Sequence, residues 1–208
     1  MPDPKSIELP AVTITAVLKF ILMDWLGMRA FYIGGVCLFW ISYFIYRYAL
    51  DHSVLNYWGF KRAYFKKTLL ALLPYLLASI CITVVYGKLN DIFLLNPNIL
   101  PVLILYPLWG IVQQFMVIGV LAESLQNLKA VSANKYIVIL LTSSIFSLVH
   151  YPGILLMAFT FAMEVIFLTV YFKWRNLWAI GLAHGWIATF LIYYVLDRDL
   201  WTELFAWF

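Results

Sequence analysis

Long apolar runs separated by short polar links dominate the chain. The runs cover roughly residues 30–49, 68–87, 99–127, 136–150, 154–172 and 177–196. Most approach the ~20 residues that a helix needs to cross a bilayer, and none alternates as the strands of a membrane β-barrel do. The pattern therefore predicts an all-α fold, a polytopic integral membrane helix bundle of about six transmembrane helices.

Both ends of the chain look interfacial. Residues 11–27 are apolar but include Lys19 and Asp24, which favours a helix lying at the membrane surface over a first span. Residues 197–208 start with acids and end in aromatic side chains, as a short interfacial helix would. We therefore divide one membrane domain into residues 1–98 with the first spans and a basic loop, a core bundle at 99–196, and the interfacial segment 197–208.

Composition and charge agree with a membrane protein. The chain is 65% hydrophobic and only 12% charged, which is too apolar for a soluble domain of 208 residues. No basic tract is long enough to bind nucleic acid, so we expect no nucleic-acid partner. Membrane lipid is the expected partner of the apolar spans. Every second loop is rich in Lys and Arg, which places these loops in the cytoplasm and the protein in an inner or plasma membrane. The residues concerned are Lys61, Arg62, Lys66, Lys67, Lys129, Lys135, Lys173 and Arg175.

A few polar side chains interrupt the predicted spans. They are Gln113, Gln114, His150, Glu164 and His184. At ~1.5 Å rise per residue, all five fall inside the ~30 Å hydrocarbon layer and within about 10 Å of one another in depth. Ionisable groups at this depth are costly, so they mark either a functional site or polar contacts within a bundle.

Several hydrolytic chemistries can be excluded from the motifs. The chain has no His-Glu-x-x-His pair, no Gly-x-Ser-x-Gly turn, and no two aspartates within the spans. His150, His184 and Glu164 could in principle form a His₂-carboxylate metal site. Their spacing does not require a metal, so we expect no cofactor.

The remaining motifs resemble those of the CAAX protease and bacteriocin-processing family of intramembrane endopeptidases, over about residues 99–196. Phe146 and His150 match a Phe-x-x-x-His motif, and His184 follows an Asn-Leu-Trp lead-in that is usual in that family. Gln113 and Gln114 occupy the place of a Glu-Glu motif. The resemblance implies a helical bundle around a funnel-shaped cavity, and peptide-bond hydrolysis near the cytoplasmic half of the bilayer.

Departures from the family pattern leave two hypotheses open. Ile118 replaces the arginine of the first motif and Ala188 replaces an asparagine. In the family, a glutamate and a histidine are proposed to activate water, whereas the amide of Gln113 cannot accept that proton. An active enzyme would need another base, and Glu164 is the best-placed carboxylate.

The second hypothesis is a non-catalytic relative that acts as a scaffold, an assembly factor or a subunit of a membrane complex. The histidines would then be a structural pair and the glutamines would join helices by hydrogen bonds. Across the two hypotheses, the partner of the protein is either a membrane peptide or protein substrate, or a partner subunit.

A further acid, Glu123, lies closer to the end of its predicted span. We expect it to be a partly solvated acid at the interface.

Overall fold

The computed structural model describes residues 4–92, 96–128 and 134–205, and no strand occurs among them. The prediction of an all-helical membrane bundle is confirmed. Five helices are long and apolar enough to cross a membrane, and the sixth predicted span is the shorter helix Lys135–Leu148. The five are Arg29–Leu50, Phe65–Leu89, Ile99–Asn127, Ile154–Trp174 and Leu177–Tyr194.

Ten α-helices occur in the described residues, and two of them continue into π-helical turns. They are α1 (Pro4–Leu18), α2 (Arg29–Leu50), α3 (Val54–Trp58), α4 (Phe65–Leu89), α5 (Ile99–Gln114), α6 (Glu123–Asn127), α7 (Lys135–Leu148), α8 (Ile154–Trp174), α9 (Leu177–Tyr194) and α10 (Leu200–Phe205). A π-helix at Lys19–Trp25 extends α1, and a second at Phe115–Ala122 joins α5 to α6.

The N-terminal segment, predicted as an interfacial helix at 11–27, is helical and packs along α2. The Glu8 carboxylate of α1 accepts hydrogen bonds at 2.6 Å from Tyr43 and Arg47 near the end of α2. Further along α1, the indole of Trp40 donates to Thr15. Contacts therefore run along α2 in the antiparallel sense. Lys19 is tolerated here because it forms an ion pair with the neighbouring Asp24.

Helices α5 and α9 form the centre of the bundle and cross through glycines. A Cβ atom added to Gly185 would meet the backbone of Pro107, and one added to Gly181 would meet Ile111. Gly110 on α5 faces Gly181 and Gly185 in turn. Small residues four apart allow two membrane helices to approach closely, because packing rather than the hydrophobic effect joins helices in lipid.

The polar links gather at two opposite ends of the bundle. At one end, Asn176 caps α9 and donates to the carbonyl groups of Lys61 and Ala63 in the basic loop. At the other end, Asn96 and Asn98 donate to Asp199, just before α10. The loops that we predicted to share a side therefore meet one another; Lys129, Trp207 and Phe208 lie outside the described residues.

Candidate functional site

A cavity of about 280 Å³ lies between α1, α5, α7, α8 and α9. His150, His184 and Gln113 all line it, together with Phe146. The Phe146 ring lies between the two imidazoles, with its centroid 5.0 Å from His150 and 5.9 Å from His184. The structure thus brings both predicted histidines and one of the two glutamines to a single space.

His150 lies in the turn that follows α7, two residues beyond the end of the helix. Its Nδ1 atom is 2.9 Å from the carbonyl oxygen of Phe146. A carbonyl oxygen can only accept, so Nδ1 must bear the hydrogen and donate it. In the neutral ring the other nitrogen, Nε2, then has a free lone pair and can accept a proton.

His184 has the opposite arrangement on α9. Its Nδ1 atom is 2.8 Å from Nε2 of Gln114, and the same Gln114 nitrogen is 3.0 Å from Oε2 of Glu164. An amide nitrogen can only donate, so His184 Nδ1 accepts and the hydrogen of the neutral ring lies on Nε2. His184 can therefore donate a hydrogen bond from the nitrogen that Gln114 does not occupy.

The two adjacent glutamines point in different directions. Consecutive residues of a helix point about 100° apart, and here Gln113 faces the cavity while Gln114 is fully buried behind it. The Oε1 atom of Gln113 has no hydrogen-bond partner among the described residues. This oxygen is itself buried, so the lining of the cavity is formed by the rest of the Gln113 side chain.

Glu164 does not line the cavity. Its side chain is fully buried on α8, and Oε2 faces Gln114. The carboxyl group therefore reaches the cavity only through Gln114 and His184. Sequence depth alone could place Glu164 at the level of the histidines, but the face of α8 on which it lies depends on packing.

Glu123 is not the partly solvated interfacial acid that we expected from its position. It is 4% exposed, and its carboxylate forms an ion pair with Arg175 at 2.8 Å and accepts a hydrogen bond from Tyr171. The expectation was wrong because the link between α8 and α9 folds back over the end of α6. This partner could not be inferred from the distance of Glu123 to the next loop.

A charged cluster borders the cavity away from the histidines. The carboxylate of Glu203 on α10 bridges Arg29 at 2.7 Å and Arg198 at 2.5 Å. All three side chains line the cavity, as do Lys19 and Asp24. This cluster could not be predicted from the sequence, because Arg29 lies far from Arg198 and Glu203 in the chain and becomes their neighbour only when α10 folds against the start of α2.

Among the residues that the structure describes, no three His, Cys, Asp or Glu side chains are grouped so that they could hold a metal ion. The polar groups at the histidine end of the cavity are two imidazoles and an amide. These groups can transfer protons and form hydrogen bonds.

The segment that carries this arrangement is similar to a known protein family. Residues 95–190 match the family described as type II CAAX prenyl endopeptidase Rce1-like. This part of the chain is similar to that family. The matched segment includes both histidines, both glutamines and Glu164, so the resemblance predicted over 99–196 is confirmed. No curated protein and no solved structure matches the chain. The protein is an integral membrane protein with lipid-facing helices, and its residues 95–190 are similar to the Rce1-like family.

Proposed function

We propose that this Rce1-like protein is an intramembrane endopeptidase that hydrolyses a peptide bond of a membrane peptide or protein. The observation that supports this most strongly is the pair of imidazoles at one cavity with opposite hydrogen-bonding roles. His150 offers a lone pair, whereas His184 offers a hydrogen. Hydrolysis of an amide requires a proton acceptor for water and a donor for the oxyanion, and this pair supplies both.

The reaction would proceed by direct attack of water. Nε2 of His150 removes a proton from a water molecule that the Gln113 side chain helps to orient. The resulting hydroxide adds to the carbonyl carbon, and the Nε2–H group of His184 stabilises the oxyanion. When the tetrahedral intermediate collapses, the C–N bond breaks and the His150 imidazolium returns its proton to the leaving amine. General base assistance of this kind is worth about 10²–10⁴-fold in rate.

Because Gln113 and Gln114 replace both motif glutamates, a different residue must act as the general base. Gln113 cannot accept the proton, and Glu164 lies behind Gln114 without reaching the cavity. We therefore assign the base to His150 and not to Glu164. Glu164 remains part of the candidate site through its bond to Gln114.

We further propose that the end bearing the Lys/Arg-rich loops faces the cytoplasm of an inner or plasma membrane. The excess of positive charge in short loops supports this orientation. The cavity extends from the histidines to Arg29 and Arg198 at the opposite end. A substrate would then approach from the non-cytoplasmic half, rather than near the cytoplasmic half as the family resemblance implies.

A second candidate is a non-catalytic member of the family that binds a membrane protein partner. The loss of both motif glutamates favours it. In that case a partner should co-purify in stoichiometric amount, and its binding should survive replacement of either histidine.

The test is a cleavage assay with membrane peptides and the purified protein in lipid nanodiscs. We expect His150→Ala to lower the rate at least about 100-fold and His184→Ala to lower it by about 10²–10³-fold, because they remove the base and an oxyanion donor. His52→Ala, in the polar loop, is the control that should cleave like the unaltered protein. Cleavage unchanged by both cavity substitutions would contradict the proposal.

A further inference from the structure

Gln114 joins three helices through one amide nitrogen. Its Nε2 atom lies 3.0 Å from Oε2 of Glu164 on α8 and 2.8 Å from Nδ1 of His184 on α9. Gln114 and Glu164 are fully buried and His184 is nearly so. Helix α5 carries Gln114 to this position because Gly110 lets it approach α9 closely. The three side chains thus form a continuous hydrogen-bonded row ending at the cavity.

The direction of these bonds follows from the atoms that face one another. The Gln114 amide nitrogen has two N–H bonds, one for each neighbour, and Glu164 Oε2 and His184 Nδ1 each accept one. If the amide were turned around, its oxygen would face both neighbours, and Glu164 and His184 would each have to donate a hydrogen. The acceptor oxygen of Glu164 therefore goes with the orientation in which Gln114 presents N–H to His184.

We propose that Glu164 is a positioning residue that acts through Gln114 to hold His184 in its Nε2–H tautomer. The role rests on the proposed function, because an oxyanion donor is needed only if the site hydrolyses amides. Glu164 touches no substrate in this scheme. It determines which hydrogen His184 turns towards the cavity.

The proposal also accounts for an amide at position 114. A carboxylate there could only accept, so it would draw the His184 hydrogen onto Nδ1 and leave Nε2 with a lone pair. The cavity would then contain two proton acceptors, His150 and His184, and no donor from either imidazole. Glutamine at 114 with an acceptor at 164 gives one acceptor and one donor.

The experiment measures the tautomers directly by nitrogen NMR of ¹⁵N-histidine-labelled protein in lipid nanodiscs. The chain has three histidines, and His52→Gln and His150→Gln variants assign their signals. In the unaltered protein we expect His184 as the Nε2–H form and His150 as the Nδ1–H form. In Glu164→Gln the residue at 164 can accept or donate with little change of volume, so His184 should become a mixture of both tautomers. His52→Gln should leave the His184 signals unchanged.

A cleavage assay on the same samples separates this proposal from the proposed function. We expect Glu164→Gln to lower kcat about 3- to 10-fold, roughly the value of one hydrogen bond, with KM unchanged. An Nδ1–H form of His184 in the unaltered protein, or His184 signals that Glu164→Gln does not change, would overturn the positioning role. If the tautomers behave as expected but no peptide is cleaved, the positioning role stands and the hydrolytic function fails.

Discussion

Two buried glutamates of this protein are held in different ways. Glu123, which is 4% exposed, faces Arg175 and the hydroxyl group of Tyr171. Glu164, which is 0% exposed, has no ion pair among the described residues and faces the amide of Gln114. Burial is therefore similar at the two positions, but Glu123 has a cation beside it and Glu164 has none among the described residues.

Under the proposed function, this difference separates a structural carboxyl group, Glu123, from a positioning one, Glu164. Arg175 also donates to the Tyr57 carbonyl, so the Glu123 pair fastens the link between α8 and α9 to the basic end of the bundle. Glu164 fastens no loop, and its neighbour Gln114 continues to a cavity-lining imidazole. A buried acid without an ion pair destabilises the fold, so such a residue points to a role other than stability. The contact of Glu164 with His184 through Gln114 offers that role.

The largest expected effect on stability comes from Glu123→Gln. This change removes one partner of a largely buried ion pair and should lower the free energy of unfolding by about 2–3 kcal/mol. The expected loss is smaller than is usual for a fully buried ion pair, because Arg175 is 32% exposed. Glu164→Gln is the matched control and should cost less than about 1 kcal/mol, since no cation loses its partner. Denaturant unfolding in detergent micelles measures both. Equal losses would remove the distinction between the two acids.

An intermediate effect on stability is expected at the crossing of α5 and α9, which supports the Glu164 site but not the Glu123 ion pair. Gly185→Ala places a methyl group against the backbone of Pro107 and should cost about 1–3 kcal/mol through overpacking. It should also change the His184 NMR signals, because α5 and α9 separate. Gly35→Ala on α2 meets nothing within 4 Å, so it should be neutral or slightly stabilising. If Gly185→Ala were as mild as Gly35→Ala, the close crossing would be disproved.

The smallest effect concerns a third carboxylate, Asp199, outside the spans. Partial burial tends to raise its pKa, but hydrogen bonds from Asn96, Asn98 and Thr202 outweigh this and hold the pKa well below its usual range. A depressed pKa stabilises the fold above the ordinary value of about 3.9, and that stability is lost as the pH falls from there through the lowered pKa.

Asp199→Asn should therefore cost about 1 kcal/mol at neutral pH and remove this part of the acid dependence. Unfolding measured between pH 7 and pH 3 tests it. The same loss of stability on acidification in the variant and in the unaltered protein would assign the dependence to other groups.

Much of the fold follows from the sequence, because hydrophobic runs and loop charges are local signals. The span predicted at 30–49 is observed as Arg29–Leu50, and that at 177–196 as Leu177–Tyr194. The packing of α1 against α2 could not be predicted, because the ion pair between Glu8 and Arg47 joins residues that lie far apart in the chain. The interfacial position of residues 11–27 stays a prediction. The division at residues 98 and 196 stays a prediction.

The candidate site was predictable as a set of residues but not as a geometry. Depth along each helix placed His150, His184 and Glu164 at similar levels. It did not indicate that Gln113 faces the cavity while Gln114 and Glu164 lie behind it, because that depends on how α5, α8 and α9 rotate against one another. The catalytic roles of these five residues stay predictions.

The most direct test compares the cleavage rate per folded molecule in Glu123→Gln and Glu164→Gln, with unfolding measured on the same samples. The account predicts that Glu123→Gln is less stable but cleaves at the unaltered rate, whereas Glu164→Gln is nearly as stable as the unaltered protein but slower. A Glu164→Gln variant that loses stability and keeps its full rate would contradict the account.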